Sequence, residues 1–320
     1  MHPNRSHTVR NPHLLPNFAT LARERLPRWE AGIAGYGDSS RGTAAGVCQL
    51  NLAFTGPPRY CKSVLTFALA VGFVILKHMS NASIMAIAHR GASAYAPENT
   101  VAAFDEAIRL GCPAVELDVR LTSDGVPVVL HDETVDRTTN GSGRVSELSR
   151  IDLLRLDAGS WKHPRFAGTR IPTLDEALHA IAGLALPVLE LKVPLESSVL
   201  REILEPHDAL ADAVVLSFEP AIIAAVRRDL PSLRVGLLAE TWHSSLLRRA
   251  LDLGATLVVL DVGAVAQAVA DAVHKAGLRL WCYTVNDAGA AAACGAMGVS
   301  GIITDKPDLI RSRKRHARSM

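Results

Sequence analysis

The chain has 320 residues, 48% hydrophobic and 21% charged, with a formal net charge of +2. This composition excludes a disordered chain, and the near balance of charge excludes the broad positive field of a dedicated nucleic-acid binder. Cys48, Cys61, Cys112, Cys282 and Cys294 are odd in number and lack CxxC or CxxH spacing. Neither a disulfide framework nor a structural zinc site is therefore expected, and the expected location is the reducing cytoplasm.

Residues 1–83 scatter Pro, Arg and Gly without sustained periodicity. The apolar run 63–76, between Lys62 and Lys77, is short against the roughly 20 residues of a membrane span. It also lies too far along the chain for a secretory signal. This region reads as a poorly structured extension upstream of the true start, with Met79 and Met85 beside the beginning of the first strand. A membrane-associated segment at 63–76 is the alternative. From residue 84 a strand–helix rhythm begins. Apolar, β-branched runs predict strands over 84–88, 114–119, 187–192, 213–218, 234–238, 256–260, 279–285 and 301–304. Helical stretches are predicted over 100–110, 174–181, 221–229, 245–253, 265–276 and 288–297. Gly111, Gly254, Gly277 and Gly298 sit where left-handed helix C-caps belong. Eight short buried strands alternating with helices predict an α/β fold, a (β/α)8 TIM barrel over residues 84–310. A long insertion, about 127–172, follows the second strand and emerges at the C-terminal face, where barrel active sites form. The basic tail 311–320 reads as a solvated terminus rather than a nucleic-acid arm.

Glu116 and Asp118 are two apart on a predicted strand, so they share a face opposite Val115, Leu117 and Val119. Two carboxylates buried side by side repel unless a cation or a proton relieves them. Glu190 and Lys192 repeat the pattern on the next predicted barrel strand. Neighbouring strands lie about 4.8 Å apart, so Glu190 is placed to join Glu116 and Asp118. Three carboxylates select a hard divalent cation, Mg²⁺ or Ca²⁺, over zinc. A buried salt bridge of Lys192 with one acid is the purely structural alternative. His89 and Arg90 end the first strand at the barrel mouth, and His131 ends the apolar run 128–130. Two imidazoles beside one metal suit a general acid and a general base near neutral pH, and the Arg90 fork suits phosphate. Asn99 or Thr100 caps the first helix, while Glu98 is placed to orient Arg90 or a histidine.

These residues fall within an ordered series of motifs. His89-Arg-Gly-Ala-Ser-Ala-Tyr-Ala-Pro-Glu-Asn-Thr100 resembles the opening signature of glycerophosphodiester phosphodiesterases. Glu116-Leu-Asp-Val119, Thr122-Ser-Asp-Gly125, Pro127-Val-Val-Leu-His-Asp132 and Asp136-Arg-Thr-Thr-Asn-Gly141 continue it. Ile171-Pro-Thr-Leu174, Glu190-Leu-Lys192, Thr284-Val-Asn286 and Thr304-Asp305 complete it, and the bacterial cytoplasmic branch is the most similar. The resemblance implies a (β/α)8 barrel with a subdomain inserted after the second strand. It implies metal binding by Glu116, Asp118 and Glu190, acid–base roles for His89 and His131, and phosphate contacts from Arg90 and Lys192 supported by Glu98. The family often has Trp before Thr-Val-Asn; here Tyr283 stands there, and Trp281 shares its face by alternation. The two are expected to form an aromatic wall against the glycerol or alcohol moiety. The activity implied is metal-dependent hydrolysis of small glycerophosphodiesters to glycerol 3-phosphate and an alcohol. A lysophospholipase D-type activity and a non-catalytic glycerophosphodiester-binding barrel are the alternatives.

Overall fold

The computed structural model describes residues 84–310. Expectations for the extension 1–83, for Cys48 and Cys61 within it, and for the tail 311–320 lie outside the described residues.

The described residues begin with β1 (Met85–Ala88) and α1 (Val101–Arg109), then β2 (Ala114–Leu121) and β3 (Pro127–Val129). After the insertion come α2 (Leu174–Ile181), β4 (Leu186–Leu191), α3 (Ser197–Leu204), β5 (Val214–Ser217) and α4 (Pro220–Asp229). The series ends with β6 (Arg234–Ala239), α5 (Ser244–Asp252), β7 (Leu257–Asp261), α6 (Gln267–Lys275), β8 (Arg279–Tyr283), α7 (Ala288–Ala296) and β9 (Gly301–Thr304). Strands β1, β2 and β4 through β9 pair in parallel, and β1 bonds both β2 and β9. The sheet therefore closes into the eight-stranded barrel expected. β3 is a ninth strand, antiparallel to the upper half of β2, with Val119 opposite Val129. It lies within the apolar run 127–130, which alone does not reveal its pairing. Helix α3 escaped the sequence pattern because only Leu200 and Leu204 of its eight residues are buried.

Alternation along each strand divides the core in two. Val115, Leu117, Val119, Leu189 and Leu191 face outward and pack with Phe104, Leu178 and Ile181 from the helices. Each such large side chain contributes roughly 1.5–3 kcal/mol by leaving water. Inside the barrel, Ile87, Ala114, Val188, Val214, Leu216, Leu257, Val259, Trp281 and Ile303 form a second apolar cluster. This inner plug ends below the mouth, where the inward positions of β2 and β4 turn acidic. The insertion has its own small core of Val128, Leu130, Val135, Val145, Leu153, Ala158 and Ile171. Helix starts follow local chemistry: Thr100 accepts from the Ala103 N–H, and Thr173 with Glu176 forms a capping box on α2. Gly111, Gly254, Gly277 and Gly298 all have the positive φ expected of them. Among the described residues, no helix is long and apolar enough to cross a membrane.

Candidate active site

The register of β2 against β4 sets Asp118 opposite Glu190 and Glu116 opposite Val188. Glu116, Asp118 and Glu190 each bring a carboxylate oxygen within 4.8 Å of the other two. The predicted cluster is thus assembled. Glu116 and Asp118 are only 2% and 1% exposed, so their charge has almost no water to relieve it. The Glu116 Oε2 accepts the Arg90 backbone N–H at 2.8 Å, while its Oε1 is buried without a hydrogen-bond partner. Burial, followed by repulsion from Asp118 and Glu190, pushes the Glu116 carboxyl well above the usual carboxylate range. Burial opposes ionisation of Asp118 too, but Lys192, Arg90 and His131 hold its pKa at about 2. Burial and the charge of Asp118 raise Glu190.

Lys192 extends one residue past β4 and pairs with Asp118 at 3.0 Å and with Glu190. Burial works against its charge, yet those two acids keep its pKa above the ordinary lysine value. The ion pair of the purely structural alternative is therefore present beside the assembled carboxylates. Arg90 reaches Glu98 at 2.7 Å, and its Nε stands 3.2 Å from Asp118 without hydrogen-bond alignment. Arg90 and Asn99 both adopt left-handed φ, +55° and +57°. The turn is held by the Asn99 N–H donating to the Arg90 carbonyl at 2.9 Å and by the Arg90 N–H on Glu116. Thr100 is the cap, which frees the Asn99 side chain to donate to Asp118 at 2.8 Å.

His89 and His131 both line a cavity of about 450 Å³ at the barrel mouth, together with Arg90, Glu116, Glu190 and Lys192. His89 Nδ1 lies 2.7 Å from Asp305 Oδ1, and Asp305 also accepts from Ser93 and Asn286. Burial disfavours the Asp305 charge, but those donors and His89 bring its pKa below the carboxylate range. An ionised carboxylate only accepts, so Nδ1 of His89 carries the proton and Nε2 is left for chemistry. His131 Nδ1 meets Asp132 at 2.7 Å, and Arg137 clamps Asp132 and Glu98 together. Arg137 and His131 depress Asp132, while burial lowers His131 itself.

The far wall of the cavity carries Phe218, Glu240, Asp261 and Tyr283, with Phe218 and Tyr283 edge to face at 6.2 Å. Burial, then Asp261, raises the Tyr283 phenol. Trp281 shares the inward face of Tyr283 as expected, but it does not reach the cavity. It is 3% exposed in the inner plug, one layer below, with its ring against Gly301. The aromatic wall is instead Tyr283 with Phe218, from the end of β5, which sequence reasoning missed. Glu98 supports Arg90 from the side of a neighbouring cavity. Asp305, Asp132, Asn286 and Arg137 were also missed as site residues. Their only signal was a place inside, or directly beside, the quoted motifs.

A family model for the glycerophosphoryl diester phosphodiesterase family matches residues 89–309. The chain belongs to this family. Bacillus subtilis YhdW is 40% identical over 241 residues, covering 72% of this chain and 98% of that protein. A glycerophosphodiester phosphodiesterase of Caldanaerobacter subterraneus is 37% identical, covering 71% and 96% respectively. An Oleispira antarctica phosphodiesterase, solved with the product sn-glycerol 3-phosphate, superposes with a TM-score of 0.67 at 30% identity, covering 71% of this chain and 94% of that one.

Proposed function

We propose that this phosphodiesterase cleaves glycerophosphodiesters to glycerol 3-phosphate and an alcohol, with a divalent cation on Glu116, Asp118 and Glu190 and proton transfer by His89 and His131. The convergence of three carboxylates within 4.8 Å beside two imidazoles carries the reading. The residues fit a metal. Glu116 keeps a buried oxygen with no partner, and the all-oxygen donor set suits magnesium or calcium. What such an ion supplies when bound is Lewis-acid stabilisation of charge on a phosphoryl oxygen. Arg90 and Lys192, beside the carboxylates on the cavity wall, provide the donors for the phosphate. Each imidazole is oriented at Nδ1 by its carboxylate, so Nε2 exchanges the proton with the nucleophile or the leaving alkoxide. The glycerol hydroxyls find acceptors in Glu240 and Asp261, and Tyr283 and Phe218 cover its carbons.

His89→Ala and His131→Ala are each expected to lower turnover of glycerophosphocholine by roughly 10²–10⁴-fold, the contribution of general acid–base catalysis. Circular dichroism should report an intact barrel in both. Near-normal turnover in either variant refutes the assignment. Faster cleavage of lysophosphatidylcholine than of glycerophosphocholine would move the protein to the lysophospholipase D reading.

A further inference from the structure

Beside the catalytic cavity lies a second one of about 320 Å³, which also has His89 and Arg90 in its wall. The two cavities therefore meet at these residues. A diester has two arms, so a phosphate held there sends one arm into each cavity. The walls differ in chemistry. The catalytic cavity offers carboxylate acceptors, Glu240 and Asp261, which suit hydroxyl donors. The second offers Lys162 and Lys306, which only donate, and the indole of Trp161 from the insertion. Among the described residues neither lysine has a carboxylate within ion-pair distance. The two acids in that wall are already engaged: Asp305 with His89, Ser93 and Asn286, and Glu98 with Arg90 and Arg137. A cationic headgroup has no free partner there. The Trp161 face, the natural seat for a quaternary ammonium, already has the Lys162 ammonium 5.8 Å from its centre.

We infer that this second cavity is the subsite for the leaving alcohol, and that Lys162 and Lys306 select headgroups bearing a further anionic group over quaternary ammonium headgroups. The inference rests on the hydrolytic reading of the catalytic cavity. Lys162 also donates to the Ser93 carbonyl at 2.7 Å, which ties the insertion to the loop after β1. That contact accounts for Lys162 structurally. Lys306, whose ammonium makes no hydrogen bond among the described residues, has no such explanation.

The test is kcat/KM of the metal-supplemented full chain on glycerophosphocholine, glycerophosphoglycerol and glycerophosphoinositol 4-phosphate. The expected order rises from choline through glycerol to the phosphorylated inositol. Part-exposed charge pairs contribute about two- to fivefold each, so the extremes should differ by about tenfold. Salt at 0.5 M should narrow the gap. Lys306→Gln should reduce the preference by about two- to fivefold, Lys306→Arg should keep it, and Lys162→Gln should reduce it further. A best rate on the choline ester, or an unchanged ratio in Lys306→Gln, overturns the subsite. Cleavage of none of the three overturns the hydrolytic reading itself and this inference with it.

Discussion

Both imidazoles are held at Nδ1 by a carboxylate, yet the two carboxylates are held differently. Asp132 takes a two-pronged grip from Arg137 and faces its sequence neighbour His131. Asp305 lies 216 positions from His89 and is fixed by the neutral donors of Ser93 and Asn286. Among the described residues no arginine or lysine pairs with Asp305, so its role toward His89 is open to a simple test. Asp305→Asn keeps the shape but allows the amide to donate to Nδ1, which stabilises the wrong tautomer. kcat should fall by roughly a hundredfold or more, within the 10²–10⁴ range of acid–base catalysis, with KM little changed. A loss confined to KM would assign Asp305 to substrate binding instead.

At the scale of elements, the turn between β1 and α1 and the insertion loop carry most of the site's precision. Gly91, at φ +80°, sits where an added Cβ would lie 2.6 Å from the Ala103 carbonyl carbon and Cβ. Gly91→Ala combines left-handed strain of about 1–2 kcal/mol with overpacking of about 1–3 kcal/mol. Since Arg90 and His89 adjoin this glycine, thermal denaturation and kcat/KM should both register the loss; an unchanged Tm would show that the turn relaxes freely. In the insertion, the Asp157 carboxylate accepts from the N–H groups of Gly159, Ser160 and Gly168 and from the Ser160 hydroxyl. These bonds, led by that from Gly168, hold its pKa below the usual carboxylate value. The folded loop thus binds its proton less readily than the unfolded chain. The stabilisation is present above the unfolded aspartate pKa, about 3.9, and is lost as pH falls through the folded value. Protection of the amides over residues 158–169, relative to their intrinsic exchange rates, should fall below pH 4 before that of the barrel strands, and Asp157→Ala should produce the same loss of protection at neutral pH. Exchange that stays slow in the variant would remove Asp157 from this role.

For the whole molecule, what could be read in advance divides along the physics of the barrel. Period-two alternation reports which face of a strand is buried, so Glu116, Asp118 and Glu190 were legible as an inward cluster before any tertiary fact was known. Alternation does not report depth, and this is why Trp281 was placed in the cavity wall when it plugs the barrel one layer below. Nor does it report closure: the His89–Asp305 pair exists only because β9 returns to lie beside β1, setting Ala88 against Thr304. Closure also concentrates three carboxylates against Lys192 and Arg90, so a cation held by the proposed site would be linked to folding. A cation that binds only the folded cluster, at a hundred times its Kd, stabilises by about 2.7 kcal/mol. For a domain of this size that raises Tm by roughly 5–10 °C. The expected result is therefore a Tm that climbs with added Mg²⁺ or Ca²⁺ after chelator stripping and falls again on chelation. Glu116→Gln keeps an acceptor for the Arg90 N–H but removes the anionic oxygen that has no partner. It should leave the Tm in chelator near that of the parent while abolishing both the metal-dependent rise and metal-stimulated turnover. A variant that still shows the full rise would mean that the cation sits elsewhere and that Glu116 is only a buried acid.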